Sequence, residues 1–373
     1  MDNRPPRHFF ATAPFSVWAR LLWENRGVDR SHIRNALKVL GKSASLAPLR
    51  LVERVIYDRQ MDSIHIDKSP VFVLGYYRSG TTHLHNLLCQ DPQFGWVTTF
   101  QTAVASFFLL AQARVRLRNA IETKFPPTRP MDNVSFAPDT PQEEELAVGN
   151  TSRFSHVYSF SFPRRSYDYL EKYALMRGLS EREIRQWNCL YLNVLRKASL
   201  FADGKRLVLK SPANTGRAAY LLRLFPDAKF VNIARNPLNV VESNLHLYRT
   251  FFRPDSATLM QSATADEMLD YIVHAYAEMT RQYLADRSVI PSGNLAEVRF
   301  EDLEADPAGE LERIYRDLSL PGWTEARPKV ESYLHSINGY KKNRLSASPE
   351  VVEMVNGQLG FIQNEWGYPE ADI

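Results

Sequence analysis

The chain has few cysteines and no long hydrophobic run. Cys89 and Cys189 are its only two cysteines in 373 residues, too few for a disulfide framework or a cysteine-based metal site, so a reducing compartment is expected. The longest apolar stretch, residues 103–111, is about half the length that spans a bilayer. The first 23 residues lack the pattern of a secretory signal. These absences predict a cytoplasmic protein.

A strong charge of one sign is absent as well. The net charge is +4, from 46 basic and 42 acidic residues. This balance suits a small anionic ligand but is too mild to indicate nucleic acid, and we expect no nucleic-acid partner. Composition carries no signal for an oligomeric state.

A glycine-bounded loop follows a short apolar run. Residues 71–74, Val-Phe-Val-Leu, predict a buried parallel strand, and an apolar-periodic helix begins near Thr81. Between them lies Gly-Tyr-Tyr-Arg-Ser-Gly-Thr-Thr, residues 75–82, which we call the glycine loop. Backbone N–H groups in such a loop, together with the helix N-terminus, form a cradle for a phosphate.

The glycine loop lacks the lysine of a nucleotide triphosphatase. Gly75 and Gly80 have P-loop spacing, but Thr81 and Thr82 stand where Lys and Ser/Thr would hold the β/γ-phosphates and Mg²⁺. Arg78 is the only cation in the loop. The loop is therefore expected to bind an anion, but not the magnesium-bound end of ATP.

Two further strands end in basic residues. Residues 206–209 lead into Lys210, residues 229–234 lead into Arg235, and a helix is predicted between them. A β-α-β unit makes these strands parallel. Lys210, Arg235 and the glycine loop therefore share the carboxyl edge of the sheet, where α/β proteins bind ligands. A fourth strand is predicted at 295–300, and the fold class is α/β.

A second anion site is predicted on the helix after Arg235. Asn236, Asn239 and Ser243 share one face of this helix, so Arg235 and Ser243 can contact one anion near its start. With the glycine loop, the sheet edge would then hold two anion sites. A ligand with two phosphate-bearing ends fits this arrangement better than ATP does.

These motifs resemble those of sulfotransferases. The glycine loop looks like the 5′-phosphosulfate loop of the bacterial-type branch, which has Arg-Ser-Gly-Thr-Thr, and Arg235 with Ser243 resembles the family's 3′-phosphate motif. The resemblance covers roughly residues 70–345. Three further segments carry it in the right order: Leu209-Lys210-Ser211-Pro212, Phe300-Glu301-Asp302-Leu303 and Tyr340-Lys341-Lys342-Asn343.

The resemblance implies a P-loop NTPase-like parallel sheet flanked by helices. It implies that the enzyme moves the sulfonate of 3′-phosphoadenosine 5′-phosphosulfate (PAPS) to a hydroxyl of a small-molecule, lipid or carbohydrate acceptor, without a metal. Arg78 and Lys210 would act on the sulfonate and the leaving oxygen, and Arg235 and Ser243 would hold the 3′-phosphate. The remaining donor-binding residues would be Tyr77, Ser79, Gly80, Thr81 and Thr82 in the cradle and Lys341, Lys342, Asn343 and Arg344 in a basic flap.

The general base is harder to assign. Many cytosolic members place a histidine two residues after the strand-end lysine, but this chain has Pro212 there. The cluster Glu143-Glu144-Glu145, predicted at the start of a helix whose first residue is Pro141, resembles the acidic segment of the bacterial-type branch. We favour Glu144 or Glu145. Glu143 and His85 are the rivals, and the cluster could instead only complement the helix dipole.

The predicted organisation is a helical N-terminal region and one main domain. Residues 1–68 form the helical region, and residues 69–373 form the α/β domain with substrate-binding helical insertions at about 96–200. The aromatic stretches 100–110 and 154–169 are expected to line the acceptor pocket. Phe15, Trp18 and the leucines at 21 and 22 share a helix face that either packs on the main domain or contacts a membrane surface.

Two other functions stay open on the sequence alone. One is a P-loop kinase-like phosphotransferase that uses ATP. The other is a non-catalytic, membrane-peripheral binding protein.

Overall fold

The computed structural model describes residues 10–66, 68–123, 125, 137–253, 256–337 and 347–372. In this part of the chain, a five-stranded sheet has the order β2-β3-β1-β4-β5, and all its pairs are parallel. The strands are β1 (Val71–Leu74), β2 (Phe94–Gly95), β3 (Arg206–Lys210), β4 (Lys229–Ala234) and β5 (Leu295–Arg299). The α/β fold class is confirmed.

Helices surround this sheet. The α-helices of the described residues are α1 (Phe15–Glu24), α2 (Ile33–Ser45), α3 (Ala47–Ser63), α4 (Thr81–Leu88), α5 (Thr99–Val104), α6 (Phe108–Ala113), α7 (Val115–Glu122), α8 (Glu144–Gly149), α9 (Ser166–Tyr169), α10 (Glu181–Phe201), α11 (Ala218–Leu224), α12 (Pro237–Phe251), α13 (Ala265–Arg287), α14 (Phe300–Ala305), α15 (Pro307–Asp317), α16 (Trp323–Ser336) and α17 (Pro349–Trp366). No helix in the described part has both the length and the apolar composition to cross a bilayer.

The sheet is buried on both faces. Alternate side chains of β1 enter two different clusters: Phe72 and Leu74 pack in one, Val71 and Val73 in the other. This is the arrangement expected of a parallel sheet covered by helices on both sides. It explains why the strands appear in the sequence as continuous apolar runs.

The N-terminal helices share the core of the sheet. Trp18 and Leu21 of α1 are buried in the same cluster as Phe72, together with Ala36 and Val39 of α2. Of the α1 face that we considered for membrane contact, Trp18 and Leu21 therefore pack inside the protein, whereas Phe15 is exposed. The domain boundary at residue 68 stays a prediction.

The start of α8 differs from the prediction. Pro141 was expected to be the first helical residue, but the helix begins at Glu144. Pro141 instead forms an isolated β-bridge with Thr98, and the Gln142 N–H donates to the Val97 carbonyl at 2.8 Å. The extended backbone at 141–142 is fixed by this non-local pairing, which the proline pattern does not reveal.

A buried ion pair connects α3 to α10. Lys197 Nζ lies 2.5 Å from Glu53 Oε1, and both side chains are buried. The other carboxylate oxygen of Glu53 accepts the Leu110 N–H at 2.8 Å. A buried charge that loses its partner is strongly destabilising.

We expect Glu53→Ala to lower the free energy of unfolding by about 3–5 kcal/mol, because it leaves Lys197 buried without its carboxylate. The control is Glu331→Ala, which breaks an exposed pair with Arg327 and is expected to cost less than about 1 kcal/mol. Urea denaturation of both variants measures the difference. Equal losses would contradict a role for the burial of the pair.

Candidate active site

The glycine loop joins β1 to α4 and requires its two glycines. Gly75 and Gly80 have φ of +141° and +97°, a region that disfavours residues with a Cβ. A Cβ on Gly75 would lie 2.7 Å from the Ile233 carbonyl oxygen, and one on Gly80 would overlap the Phe300 ring. The Gly75 N–H donates to Thr215 Oγ1 at 2.8 Å. The loop is therefore pressed closely against β4 and α14.

The first N–H groups of α4 lie where the sequence predicts an anion cradle. The helix begins at Thr81 with Gly80 as its N-cap, and no side chain caps it. The first N–H groups of a helix have no carbonyl partner within the helix and attract anions. Thr81 and Ser79 are buried, whereas Gly80 and Thr82 are partly exposed.

Arg78 brings together the two anion sites that the sequence predicts separately. Its Nε donates to Ser243 Oγ on α12 at 2.9 Å. Its own carbonyl oxygen accepts Nη1 of Arg235, at the end of β4, at 3.0 Å. Arg78 also has a positive φ of 71°, which is strained for a residue with a side chain. The two sites are thus parts of one cationic cluster.

Arg235 is a half-buried cation beside the ring of Phe300. Its guanidinium lies 4.4 Å from the centroid of the Phe300 ring. Burial lowers the pKa of Arg235 from its ordinary value, nearby Glu301 acts in the opposite direction, and Arg78 adds to the lowering. Within the described residues, nothing accepts a hydrogen bond from its Nε. An anion held between Arg235 and Ser243 would supply that acceptor.

Lys210 and Glu143 form a second charged group at the same edge. Lys210 Nζ, at the end of β3, lies 2.5 Å from Glu143 Oε1. The Lys210 side chain is 1% exposed and that of Glu143 is 16% exposed. Glu143 is also close enough to Tyr77 of the glycine loop to raise the pKa of that phenol, second to burial as a cause. A cation and an accessible carboxylate therefore lie side by side next to the loop.

Glu144 and Glu145 point into the protein. Both are fully buried. Glu145 Oε2 lies 2.5 Å from Nη2 of Arg217, and its Oε1 accepts from Ser155 Oγ at 2.7 Å. Glu144 Oε1 accepts from Asn214 Nδ2 at 2.6 Å, and burial raises the pKa of Glu144. The catalytic role expected for these two residues stays a prediction.

His85 lies inside the protein beneath the loop. Its Nε2 is 3.2 Å from the Val208 carbonyl oxygen of β3. Burial, with a smaller contribution from Lys210, lowers the pKa of His85 to about 3. An imidazole of such low basicity, hydrogen-bonded to a strand carbonyl, fits a packing role rather than a base.

Sequence reasoning missed a polar network behind the site. His156 is buried, with Nδ1 3.2 Å from the Tyr77 hydroxyl and Nε2 2.9 Å from the Tyr271 hydroxyl. Arg217 is buried between Glu145 and the ring of Trp187, 4.8 Å from the ring centroid. Neither residue belongs to a sequence motif, so no local pattern indicates its role. The four residues of the predicted basic flap, Lys341, Lys342, Asn343 and Arg344, lie outside the described residues.

Comparison with known protein families and sequences finds similar proteins that are sulfotransferases. The model of the sulfotransferase family matches residues 70–325 of the chain. The omega-hydroxy-beta-dihydromenaquinone-9 sulfotransferases Stf3 of Mycobacterium tuberculosis and Mycobacterium bovis are each 30% identical over 355 residues. The match spans 95% of this chain and 89% of each relative.

Solved structures share the fold at lower identity. Sulfotransferase STF9 of Mycobacterium avium superimposes with a TM-score of 0.65 at 17% identity, covering 100% of both chains. Sulfotransferase STF1 of Mycobacterium tuberculosis gives 0.62 at 19% identity, over 91% of this chain and 90% of the other.

The two buried histidines predict a loss of stability in acid. The pKa values of His85 and His156 fall from 6.5 to about 3 on folding, so below pH 6.5 the unfolded chain binds more protons than the folded one. Each histidine should then lower the free energy of unfolding by about 2 kcal/mol at pH 5 relative to pH 7. His85→Gln, which can keep a donor to the Val208 carbonyl, should remove one such contribution. The free energy of unfolding in urea at several pH values measures it.

The control is His335→Gln, because His335 is exposed. It should keep the wild-type pH dependence. An unchanged slope between pH 7 and pH 5 for His85→Gln would show that His85 is not held neutral by burial.

Proposed function

This chain belongs to the sulfotransferase family, and we propose that it transfers the sulfonate group of PAPS to a hydroxyl of a lipid-type acceptor. The observation that carries the proposal is the cluster formed by Arg78 on the glycine loop, Arg235 after β4 and Ser243 on α12. It offers charge for two phosphate groups and has no lysine in the position that a triphosphate requires.

The residues at the sheet edge fit the two ends of PAPS. The loop backbone packs so closely that a Cβ at Gly80 would overlap Phe300, and this shapes a cradle of N–H groups for the 5′-phosphosulfate. Arg235, with its buried and unused Nε, would hold the 3′-phosphate together with Ser243. A charge-assisted hydrogen bond of this kind is stronger than a neutral one. PAPS would supply an activated sulfonate with a phosphate as its leaving group.

Lys210 and Arg78 would stabilise the charge that develops during transfer. In an in-line displacement the acceptor O–S bond forms as the bond between sulfur and the phosphate oxygen breaks. Positioned cations lower the energy of such a transition state. Arg78 lies in the loop itself, and Lys210 lies at the end of the neighbouring strand β3, so both would act at the reacting end of the donor.

Glu143 is our candidate for the general base. The sequence favours Glu144 or Glu145, but both are buried and hydrogen-bonded, whereas Glu143 is partly exposed beside Lys210. A base must be able to reach the proton it removes. Glu143 would take the hydroxyl proton of the acceptor, and the buried Glu145–Arg217 pair would position the start of α8.

An aromatic cluster beside the loop is our candidate for the acceptor site. Phe160 packs 6.0 Å from Tyr77, 5.4 Å from Tyr248 and 6.5 Å from Phe252, measured between ring centroids. Phe160 and Phe252 are partly exposed, so an apolar acceptor could bind against them. The other aromatic stretch, residues 100–110, packs with Met61 in a separate buried cluster. The lipid class of acceptor is also suggested by the names of the Stf3 relatives.

The donor proposal is tested with two nucleotides that share a 5′-phosphate, of which only one carries a 3′-phosphate. We expect Arg78→Ala to weaken binding of both 3′-phosphoadenosine 5′-phosphate and adenosine 5′-phosphosulfate by about 100-fold, because it removes a charge at the shared 5′ end. Arg235→Met should weaken binding of the first ligand more than that of the second, because the second has no 3′-phosphate. Isothermal titration calorimetry measures both affinities, and the control is Arg185→Ala, which changes an exposed side chain of α10. Tight magnesium-dependent ATP binding, or equal losses for both ligands in Arg235→Met, would contradict the proposal.

The base and the acceptor class are tested together by product analysis. The wild type, given PAPS and a polyprenyl quinone with a terminal hydroxyl, should form a product heavier by one SO₃ group. Glu143→Gln should lower kcat by about 100-fold or more while the affinity for 3′-phosphoadenosine 5′-phosphate stays near the wild-type value. Mass spectrometry and calorimetry measure the two effects. Normal turnover in Glu143→Gln would exclude this base, and turnover on sugars alone would exclude a lipid-type acceptor.

A further inference from the structure

Helix α3 presents an apolar stripe to solvent and buries two of its charged residues, Arg50 and Glu53. Leu51, Val52, Val55 and Ile56 form one helical stripe and are exposed, with Leu51 at 64% and Val55 at 78%. Glu53 is buried on the opposite side, in its ion pair with Lys197. A helix that simply covers a core would turn such a stripe inward. A contiguous apolar stripe in solvent indicates a contact partner.

Helix α2, which packs on α3, adds to the same kind of surface. Ile33 and Leu37 lie one turn apart and are exposed, Leu37 at 65%. Arg34 and Lys38 lie next to them in sequence and are exposed as well. We name the exposed apolar residues of the two helices the α2–α3 surface: Ile33, Leu37, Leu51, Val52, Val55 and Ile56.

The charge around the α2–α3 surface has one dominant sign. Among the charged residues of α2 and α3 whose side chains are described, one acidic residue, Asp58, is exposed, against five exposed basic ones: Arg34, Lys38, Lys42, Arg54 and Arg59. Pairing this surface with a second copy of itself would bring like charges together, which disfavours a symmetric dimer. Apolar side chains interleaved with basic ones are typical of helices that lie at the surface of an anionic bilayer.

We propose that the α2–α3 surface docks onto the surface of a lipid bilayer that carries anionic headgroups. The apolar stripe of α3 enters the boundary between headgroups and acyl chains, and the lysines and arginines contact the headgroup phosphates. The proposal rests on these two helices and does not depend on which acceptor the enzyme uses. It places the membrane contact on α2 and α3 and not on α1, whose Trp18 and Leu21 are buried in the core.

Vesicle binding by the full chain tests the proposal. We expect co-sedimentation with vesicles of phosphatidylglycerol and phosphatidylcholine, weaker binding to phosphatidylcholine alone, and weaker binding at high salt. Val55→Asp should reduce the partition coefficient between vesicles and water by about tenfold. It replaces an apolar side chain that would enter the bilayer interface with a charge that the headgroups repel. Lys38→Glu should reduce binding to the anionic vesicles only.

The matched control is Val289→Asp, which places the same change at an exposed valine outside α2 and α3 and should bind vesicles like the wild type. Binding of 3′-phosphoadenosine 5′-phosphate should be unchanged in Val55→Asp, which separates this proposal from the donor proposal. Failure of the wild type to bind anionic vesicles would overturn the bilayer contact, as would equal losses in Val55→Asp and Val289→Asp. So would a wild-type dimer in size-exclusion chromatography that Val55→Asp dissociates without changing vesicle binding.

Discussion

The backbone of Arg78 is the constraint on which the site depends. Its positive φ costs about 1–3 kcal/mol, so the surrounding structure has to hold it. Arg235 binds its carbonyl oxygen and Ser243 binds its Nε, while Asn244 donates to the carbonyl of the preceding Tyr77 at 2.8 Å. The end of β4 and one face of α12 thereby fix the shape of a loop that begins on β1. The two predicted anion sites are therefore not independent.

The acidic segment shows how neighbouring carboxylates acquire different environments. Glu143 is the N-cap residue of α8, with extended backbone, and its side chain reaches Lys210. Glu144 and Glu145, within the first turn, are directed to Asn214 and Arg217. The buried charge of Glu145 is tolerated because Arg217, Ser155 and the His156 N–H all contact it, as a buried ion pair requires. The carboxylate of Glu143 is therefore accessible, whereas those of the next two residues, Glu144 and Glu145, are buried.

Those parts of the fold that local sequence patterns encode could be predicted from the sequence. The strands predicted from apolar runs, which are β1, β3, β4 and β5, are confirmed. The two residues of β2 are too short to give any periodicity. The environments of the three glutamates depend on where α8 begins. The start of this helix is set by the bridge between Thr98 and Pro141, which no local sequence pattern encodes. The role of Arg217 could not be predicted from a local pattern, because Glu145 and Trp187, which it contacts, are distant in sequence.

Helix α10 connects the proposed membrane surface with the site. Near its middle, the Tyr191 hydroxyl donates to Glu144 Oε1 at 3.2 Å. Near its end, Lys197 pairs with Glu53 on α3. The buried charge on the inner side of α3 is thus used to attach the helix to the scaffold that supports the carboxylates. An apolar inner face would hold α3 less specifically, because apolar packing tolerates shifts that an ion pair does not. Helix α3 thus combines a buried polar attachment inside, at Glu53, with the exposed apolar stripe that is proposed to enter the bilayer interface.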